Sequence, residues 1–339
     1  MARFGRSFAI MLLLALPVSA GGFDDRAVDD AIVKALRFLA EHQRPNGSWN
    51  VDNLGESTAA TSLAVMAFLA AGHVPSEGPY GRAIDRGVTY VLDHQKSSGM
   101  IADHTGHGPM YDHGISTLML SEVAGMMPKE QSAPTRKVLE KAVRVILEAQ
   151  KVKKVVRESG GWRYQLKSTD SDLSVTAWQL LALRAVKDVG CDVPAENIEL
   201  AVGYVKKCSN GRGFAYQPGN GPTSTLTAAG ILAMQVCDHH DDKLVTSGID
   251  LLLRQPLRFD ESWFFYGAYY NAISVYKYGG ADWERTKAQL FQELLSNQQP
   301  LGGWQARNAN ERGYGQVYAT SLGVLALTVE YGYLPIYQR

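Results

Sequence analysis

Two carboxylates one residue apart, Asp170 and Asp172, stand just before a run rich in Ser, Thr, Val and Leu. If that run is a helix, its N-terminal partial charge favours an ionised carboxylate, while burial raises the same group's pKa. Helix capping, ligand binding and general-acid catalysis are all open to such a pair. A second cluster, His104, His107 and His113 with Asp103 and Asp112, has metal-ligating chemistry, but its spacing matches no strong metal motif. Solvated loop histidines, or a His113 turned toward a cavity to orient a ligand, fit that segment as well. A third group is aromatic: Trp263, Phe264, Phe265, Tyr266, Tyr269, Tyr270, Tyr276 and Tyr278 crowd one stretch, with Tyr111, Trp178, Tyr314 and Tyr318 as candidate partners across the fold. Aromatic faces stabilise carbocations. They also line sugar and lipid sites, and they simply pack.

The elements that position these residues follow from a repeat of about 50 residues. Segments ending in Gln43, Gln95, Gln150 and Gln298 recur, with weaker copies near Cys208 and Gln255. Each closes an amphipathic helix. In the first, Val28, Ile32, Ala35, Leu36 and Leu39 fall three and four residues apart, with Lys34 and Arg37 on the other face. A second helix type follows each one, at 58–71, 115–124, 174–186, 224–236, 266–278 and 320–329. These are rich in Ala, Leu, Thr and Gly, and poor in charge. A helix apolar all round is covered all round. Half-buried and fully buried helices alternating six times predict an all-α, six-hairpin α/α toroid, a closed double ring of inner and outer helices. An open solenoid would need polar capping repeats.

Aligning the inner helices by their Thr or Ser residues places Ser57, His113, Asp172, Thr223 and Gln316 at equivalent positions, a predicted polar ring around a central cavity mouth. Tyr111, Tyr266, Tyr270 and Tyr318 complete the candidate ligand-binding set. The basic insertion 151–168 is long enough to be a lid or binding loop. Three cysteines, Cys191, Cys208 and Cys237, are too few for a disulfide framework. One bridge, such as Cys191 to Cys208, and three small buried residues are the two readings left open. Net charge is zero, and there is no basic stripe or Gly-rich phosphate loop, which argues against nucleic acid and other polyanions. Arg3 and Arg6, the apolar run 8–16 and Val18-Ser19-Ala20 read as a secretory signal peptide over residues 1–20. The expected mature chain, 21–339, is one toroid domain exported to the periplasm or beyond, with no transmembrane segment after signal removal.

The turns between outer and inner helices carry a signature. Gln43-Arg44-Pro45-Asn46-Gly47-Ser48-Trp49 and Gln298-Gln299-Pro300-Leu301-Gly302-Gly303-Trp304 share Gln, three residues, Gly, one residue, Trp. Gln95 with Gly99, Gln150 with Gly160-Gly161-Trp162, and Gly211-Arg212-Gly213-Phe214 are partial copies. This resembles the Gln–Trp motif of squalene and terpene cyclases, which also marks protein prenyltransferase subunits. The C-terminal run 331–339, Tyr111-Asp112-His113-Gly114, Gly161-Trp162-Arg163-Tyr164 and 170–176 look like those of secreted bacterial single-toroid members. The resemblance implies that Asp170 and Asp172 match the cyclase Asp-x-Asp-Asp, with Asp172 as the proton donor, although Leu173 replaces the neighbouring acid. It implies no zinc site and no other cofactor, because Asp172 and Ala319 stand where prenyltransferases carry Cys and His. Three functions remain in view: a toroid binding a hydrophobic small molecule, a glycan or a protein at its mouth; a terpene-cyclase-like enzyme; and a glycan-active hydrolase or lyase pairing Asp172 with Glu56 or Asp112.

Overall fold

A computed structural model describes residues 25–103, 108–127 and 129–338, without the side chains of 129–131 and 337. The proposed signal peptide, His104 and His107 lie outside the described residues. In chain order the elements begin with α1 (Asp25–Glu41), β1 (Trp49–Val51), β2 (Gly55–Ser57), α2 (Thr58–Ala70), α3 (Gly81–Asp93), α4 (Pro109–Met126) and α5 (Lys129–Lys151). There follow α6 (Leu173–Asp188), α7 (Ala195–Lys207), α8 (Ser224–Gln235), α9 (Lys243–Arg254), α10 (Phe264–Tyr278), α11 (Gly280–Ser296), α12 (Ala309–Arg312) and α13 (Gly315–Leu327).

The inner ring is α2, α4, α6, α8, α10 and α13. Each packs on the next, and α13 returns to α2, which closes it. Their sequences explain their place. In α2 every residue from Ala60 to Ala70 is buried, and in α13 so is every residue from Ala319 to Leu327. The outer helices bury one stripe each: α1 buries Val28, Ala31, Ile32, Ala35, Leu36, Phe38 and Leu39 and leaves its charges in water. Buried polar side chains staple neighbouring inner helices. Ser62 Oγ donates to Ser116 Oγ (3.1 Å), Gln179 Nε2 to the Met110 carbonyl (2.7 Å) and Gln235 Nε2 to the Ser274 carbonyl (3.0 Å).

The Gln-containing turns fix the outer ring. Gln43 Nε2 bonds the Gly47 carbonyl of its own turn (3.0 Å) and the Ala83 carbonyl in the first turn of α3 (2.8 Å). Gln95 does the same to Gly99 and Val138, and Gln150 to Gly160 and Asn197. Gln298 bonds Gly302 and then Ala31 of α1, both at 2.8 Å, so the last turn latches onto the first helix. The helix carbonyls already accept an intrahelical N–H, so each Gln adds a second donor there while bonding the carbonyl of its own turn, which ties that turn to the next outer helix. Gly302 adopts φ +93°, and a Cβ there would lie 2.4 Å from the Lys34 carbonyl oxygen of α1. Left-handed backbone and close helix approach together require glycine.

Trp49, Trp162 and Trp304 are fully buried, and their indoles donate to Leu39, Ile146 and Leu294 of the preceding outer helix. Their backbone N–H groups donate to the hydroxyls of Thr61, Thr176 and Thr320 on the following inner helix, as Phe214 does to Thr227. One small antiparallel pair, β1 with β2, was not expected from the helical repeat. At the far end of the ring the C-terminal segment folds back. Leu334 is buried, and the single turn Pro335–Tyr337 packs on α4 and α6.

Candidate functional site

The starts of α4, α6, α10 and α13 meet at one end of the ring. Tyr111 on α4 donates to Ser174 Oγ on α6 (2.7 Å), and Ser174 Oγ shares a 2.7 Å hydrogen bond with the Tyr266 hydroxyl on α10. Glu311 on α12 accepts from the N–H groups of Phe265 (3.1 Å) and Tyr266 (3.0 Å) and from the Tyr318 hydroxyl (3.1 Å). Glu311 therefore does for α10 what a local capping residue does elsewhere. Position 263, the residue before α10, is Trp in a left-handed conformation (φ +61°), which has no capping oxygen to offer. Burial raises the Glu311 pKa, and its hydrogen bonds oppose that shift.

Asp172 is the N-cap of α6 and has no exposed surface. Its Oδ1 accepts from Val175 N–H (2.8 Å), while Oδ2 has no hydrogen-bond partner. Burial pushes its pKa up to about 7; the Val175 N–H, the Arg163 guanidinium and the neighbouring Tyr216 hydroxyl draw it back down. Arg163 Nε stands 3.9 Å from Asp172 Oδ2 and 3.4 Å from Asp170 Oδ2, and Arg163 Nη1 is itself without a partner. The guanidinium lies over the rings of Tyr164 (4.8 Å to the centroid) and Tyr216 (5.5 Å), whose hydroxyls are hydrogen-bonded to each other. Asp170 stays half-exposed on the rim. The pair thus separates into a buried acid and a surface acid joined through one arginine.

Beneath this layer the ring axis is occupied by aromatic side chains. Trp178 stacks on Tyr269 (5.3 Å, 12°) and meets Tyr270 edge-on (5.5 Å), and Tyr266 contacts Tyr270 (4.8 Å). Trp178, Tyr269 and Tyr270 are buried. Two of the candidate ligand-binding tyrosines, Tyr266 and Tyr270, are therefore packed against other rings. A groove of about 390 Å³ lies off this axis, between α5 and the segment at Gln165 and Leu166, with Met100, Pro109 and Val145 in its wall.

The other candidates divide. Ser57 and Thr223 are N-caps like Asp172, accepting from Ala60 and Leu226 N–H (both 3.2 Å). Gln316 lies in the first turn of α13 and donates to Gln299 Oε1 (2.8 Å). Tyr111 and Tyr318 join the hydrogen-bonded mouth described above. His113 corrects the register. Its Nδ1 accepts from Ile101 N–H (3.0 Å), the same contact that Thr61, Thr176, Thr227 and Thr320 make, so it sits one turn deeper than Ser57 and Asp172. Its Nε2 meets the Ala142 carbonyl of α5 (3.1 Å), and burial pushes its pKa down to about 4. The alignment slipped because Thr117 follows His113 by one turn and was matched to the other threonines. Asp103 takes the Thr58 N–H at the start of α2 and the Tyr90 hydroxyl (2.9 Å), and lies 3.2 Å from His94. Glu56 pairs with Arg44 (3.4 Å) and Asn46 (3.1 Å). The insertion after α5 is pinned by Lys207, which donates to the Val156 carbonyl (2.8 Å), and by the buried Glu158. The three cysteines are buried and free.

Sequence reasoning did not single out Glu311 or Tyr216, and it quoted Arg163 and Tyr164 only for their resemblance. A signal was present for two of them. Tyr164 follows Trp162 by two residues, as Tyr216 follows Phe214, so both project from the same point of successive turns.

No protein-family model matches the sequence, and no curated protein matches it. Solved structures do. The chain is similar to the type II terpene cyclase MstE from Scytonema in complex with merosterolic acid A, its product, at 14% identity and TM-score 0.63, over 92% of this chain and 98% of that one. The MstE complex with geranylgeranyl dihydroxybenzoate, its substrate, matches at 14% identity and TM-score 0.63, over 91% and 98%. A glycosidase in complex with glucose matches at 11% identity and TM-score 0.62, again over 91% and 98%. The all-α toroid shared by terpene cyclases and these glycosidases is the fold of this chain. No helix among the described residues is long and apolar enough to cross a membrane.

Proposed function

We propose that the chain is an exported ligand-binding toroid that works at the mouth formed by α4, α6, α10 and α13. The observation that carries this reading is the Asp172–Arg163 pair. Buried polar atoms in native proteins nearly always have partners. Here neither Asp172 Oδ2, ion-paired with Arg163 Nε at 3.9 Å, nor Arg163 Nη1 has a hydrogen-bond partner, and both atoms are buried on neighbouring side chains at the end of the ring. The packed aromatic axis below supports the mouth over the ring centre for a ligand. The same scaffold holds geranylgeranyl dihydroxybenzoate in one neighbour and glucose in another, so the fold itself does not choose between them.

Native mass spectrometry and solvent extraction of the protein recovered from the exported fraction test the reading. A bound molecule that is lost in Asp172→Asn supports it, as does a mature N-terminus near Gly21. Absence of any copurifying molecule, together with no change in the variant, removes it. One observation favours a second, cyclase-like reading. Asp172 is fully buried at the start of α6, and that burial pushes its pKa up to about 7, toward the protonated form a general acid needs. Turnover of a polyprene substrate that disappears in Asp172→Asn would select that reading over simple binding.

A further inference from the structure

Three large aromatic side chains at this end of the ring are more than one-third exposed. Tyr164, Trp263 and Tyr314 each keep 37% of their surface in water, while the rings beneath them are closed off. They come from three separate segments: the turn before α6, the residue before α10 and the residue before α13. Trp263 and Tyr314 are in ring contact (5.8 Å), and Tyr314 rests on Tyr318 (5.2 Å). Tyr164 lies against Tyr111 (5.9 Å) on the α4 side. Trp263 holds its place from a left-handed backbone conformation that disfavours bulky residues. Such strain persists where the surroundings over-determine it, and it concentrates at functional sites.

Charged groups stand beside Tyr164. Arg163 is 20% exposed over Tyr164, with its Nη1 buried; Asp170 beside it is half-exposed, and Asp172, ion-paired with Arg163, lies buried underneath. A surface that offers ring faces, one cation and one exposed carboxylate suits a ligand that is apolar on its faces and hydroxylated at its edges. We propose that the Tyr164–Trp263–Tyr314 platform binds a neutral carbohydrate, with sugar faces stacked on the rings and hydroxyls bonded to Arg163 and Asp170. This rests on the mouth-binding reading above and names its ligand class. A prenyl chain would need buried apolar volume, and the ring axis that could supply it is filled by Trp178, Tyr269 and Tyr270. A polyanion would need net positive charge, and the chain has none. Tyr and Trp combine an apolar body with a polar tip, which fits a wet, shallow site.

Isothermal titration of the full chain with cellohexaose, xylohexaose, mannohexaose and chitohexaose tests the proposal. Saturable binding of at least one is expected, weakened about tenfold by Trp263→Ala and by Tyr164→Ala. Tyr164→Phe keeps the ring and retains binding within about twofold. Circular dichroism melts of each variant separate loss of fold from loss of site, and Tyr314→Ala replaces any variant that unfolds. If none of the four saccharides binds, or if binding survives all three alanine substitutions, the carbohydrate proposal is overturned. A parallel titration with geranylgeraniol separates it from the reading it rests on. Binding of that probe alone, lost in Asp172→Asn, overturns the saccharide and leaves the mouth standing. Binding of neither probe overturns both.

Discussion

The Gln-containing turns and the mouth are built from similar residues at opposite levels of completion. In the turn at Gln298 the donors are used: the amide Nε2 bonds two carbonyls, the indole of Trp304 bonds a third, and the Trp304 N–H reaches Thr320. At the mouth, Asp172 Oδ2 and Arg163 Nη1 are left over. The turns behave as fasteners that repeat wherever two outer helices must meet. The Asp172–Arg163 pair occurs once among the described repeats, and it keeps polar atoms without hydrogen bonds, as Glu122, Gln179 and Gln235 do deeper in the ring. On the proposed reading, stability and ligand binding fall to different residues of the same repeat, and substitutions should separate them.

The largest effect is expected at the turns. Trp304→Ala removes a fully buried indole and its hydrogen bond to Leu294. It should cost about 3–5 kcal/mol in denaturant unfolding, yet leave the mouth's ligand affinity intact in the fraction that stays folded. A cost below about 1 kcal/mol would mean that the turns are not fasteners. Gln298→Leu comes next. It leaves the Gly302 turn carbonyl without this donor and removes the bond to Ala31 of α1 at the junction of last and first repeats, for about 1–3 kcal/mol. Hydrogen exchange should then quicken at the start of the chain near Ala31 before it does elsewhere. Uniform exchange would argue that closure is carried by apolar packing alone.

The sequence carries this division unevenly. Period, Gln spacing and the contrast between α1 and α2 yield both rings, because helix burial is written in local composition. The pattern also places Asp172 at a helix start, where it is found. What escaped is whatever depends on distant segments meeting. Glu311 caps α10 from 46 residues away, and no local motif announces that. Tyr216 reaches Asp172 and Tyr164 from the next repeat. His113 was misplaced by one turn, since a histidine doing the work of a threonine hydroxyl is invisible until Ile101 is seen to donate to it. The start of α4 was missed for a related reason: Pro109 and Gly114 disguise two helical turns that run from residue 109.

The subtlest test sets the buried acid against the buried base. Asp172 has a folded pKa near 7, above its ordinary 3.8, so between those values the folded chain holds a proton that the unfolded chain has released. Its contribution is present at low pH and is lost as pH rises through 7. His113 has a folded pKa near 4, below its ordinary 6.5, so the unfolded chain holds the extra proton. Its contribution is present above 6.5 and is lost as pH falls through 4. The two trends oppose each other between about pH 4 and 6.5 and partly cancel in the wild type. Asp172→Asn keeps the cap, since Asn caps as well as Asp, and should gain stability relative to wild type as pH rises from 4.5 to 7.5 by roughly 1 kcal/mol or more. His113→Thr restores the hydroxyl of the other repeats, and its stability relative to wild type should improve in the opposite direction, as pH falls. Unfolding midpoints for the three proteins at pH 4.5, 6 and 7.5 decide the matter. If both variants shift the same way with pH, the mouth acid and the turn histidine are not the independent devices that their hydrogen bonds indicate.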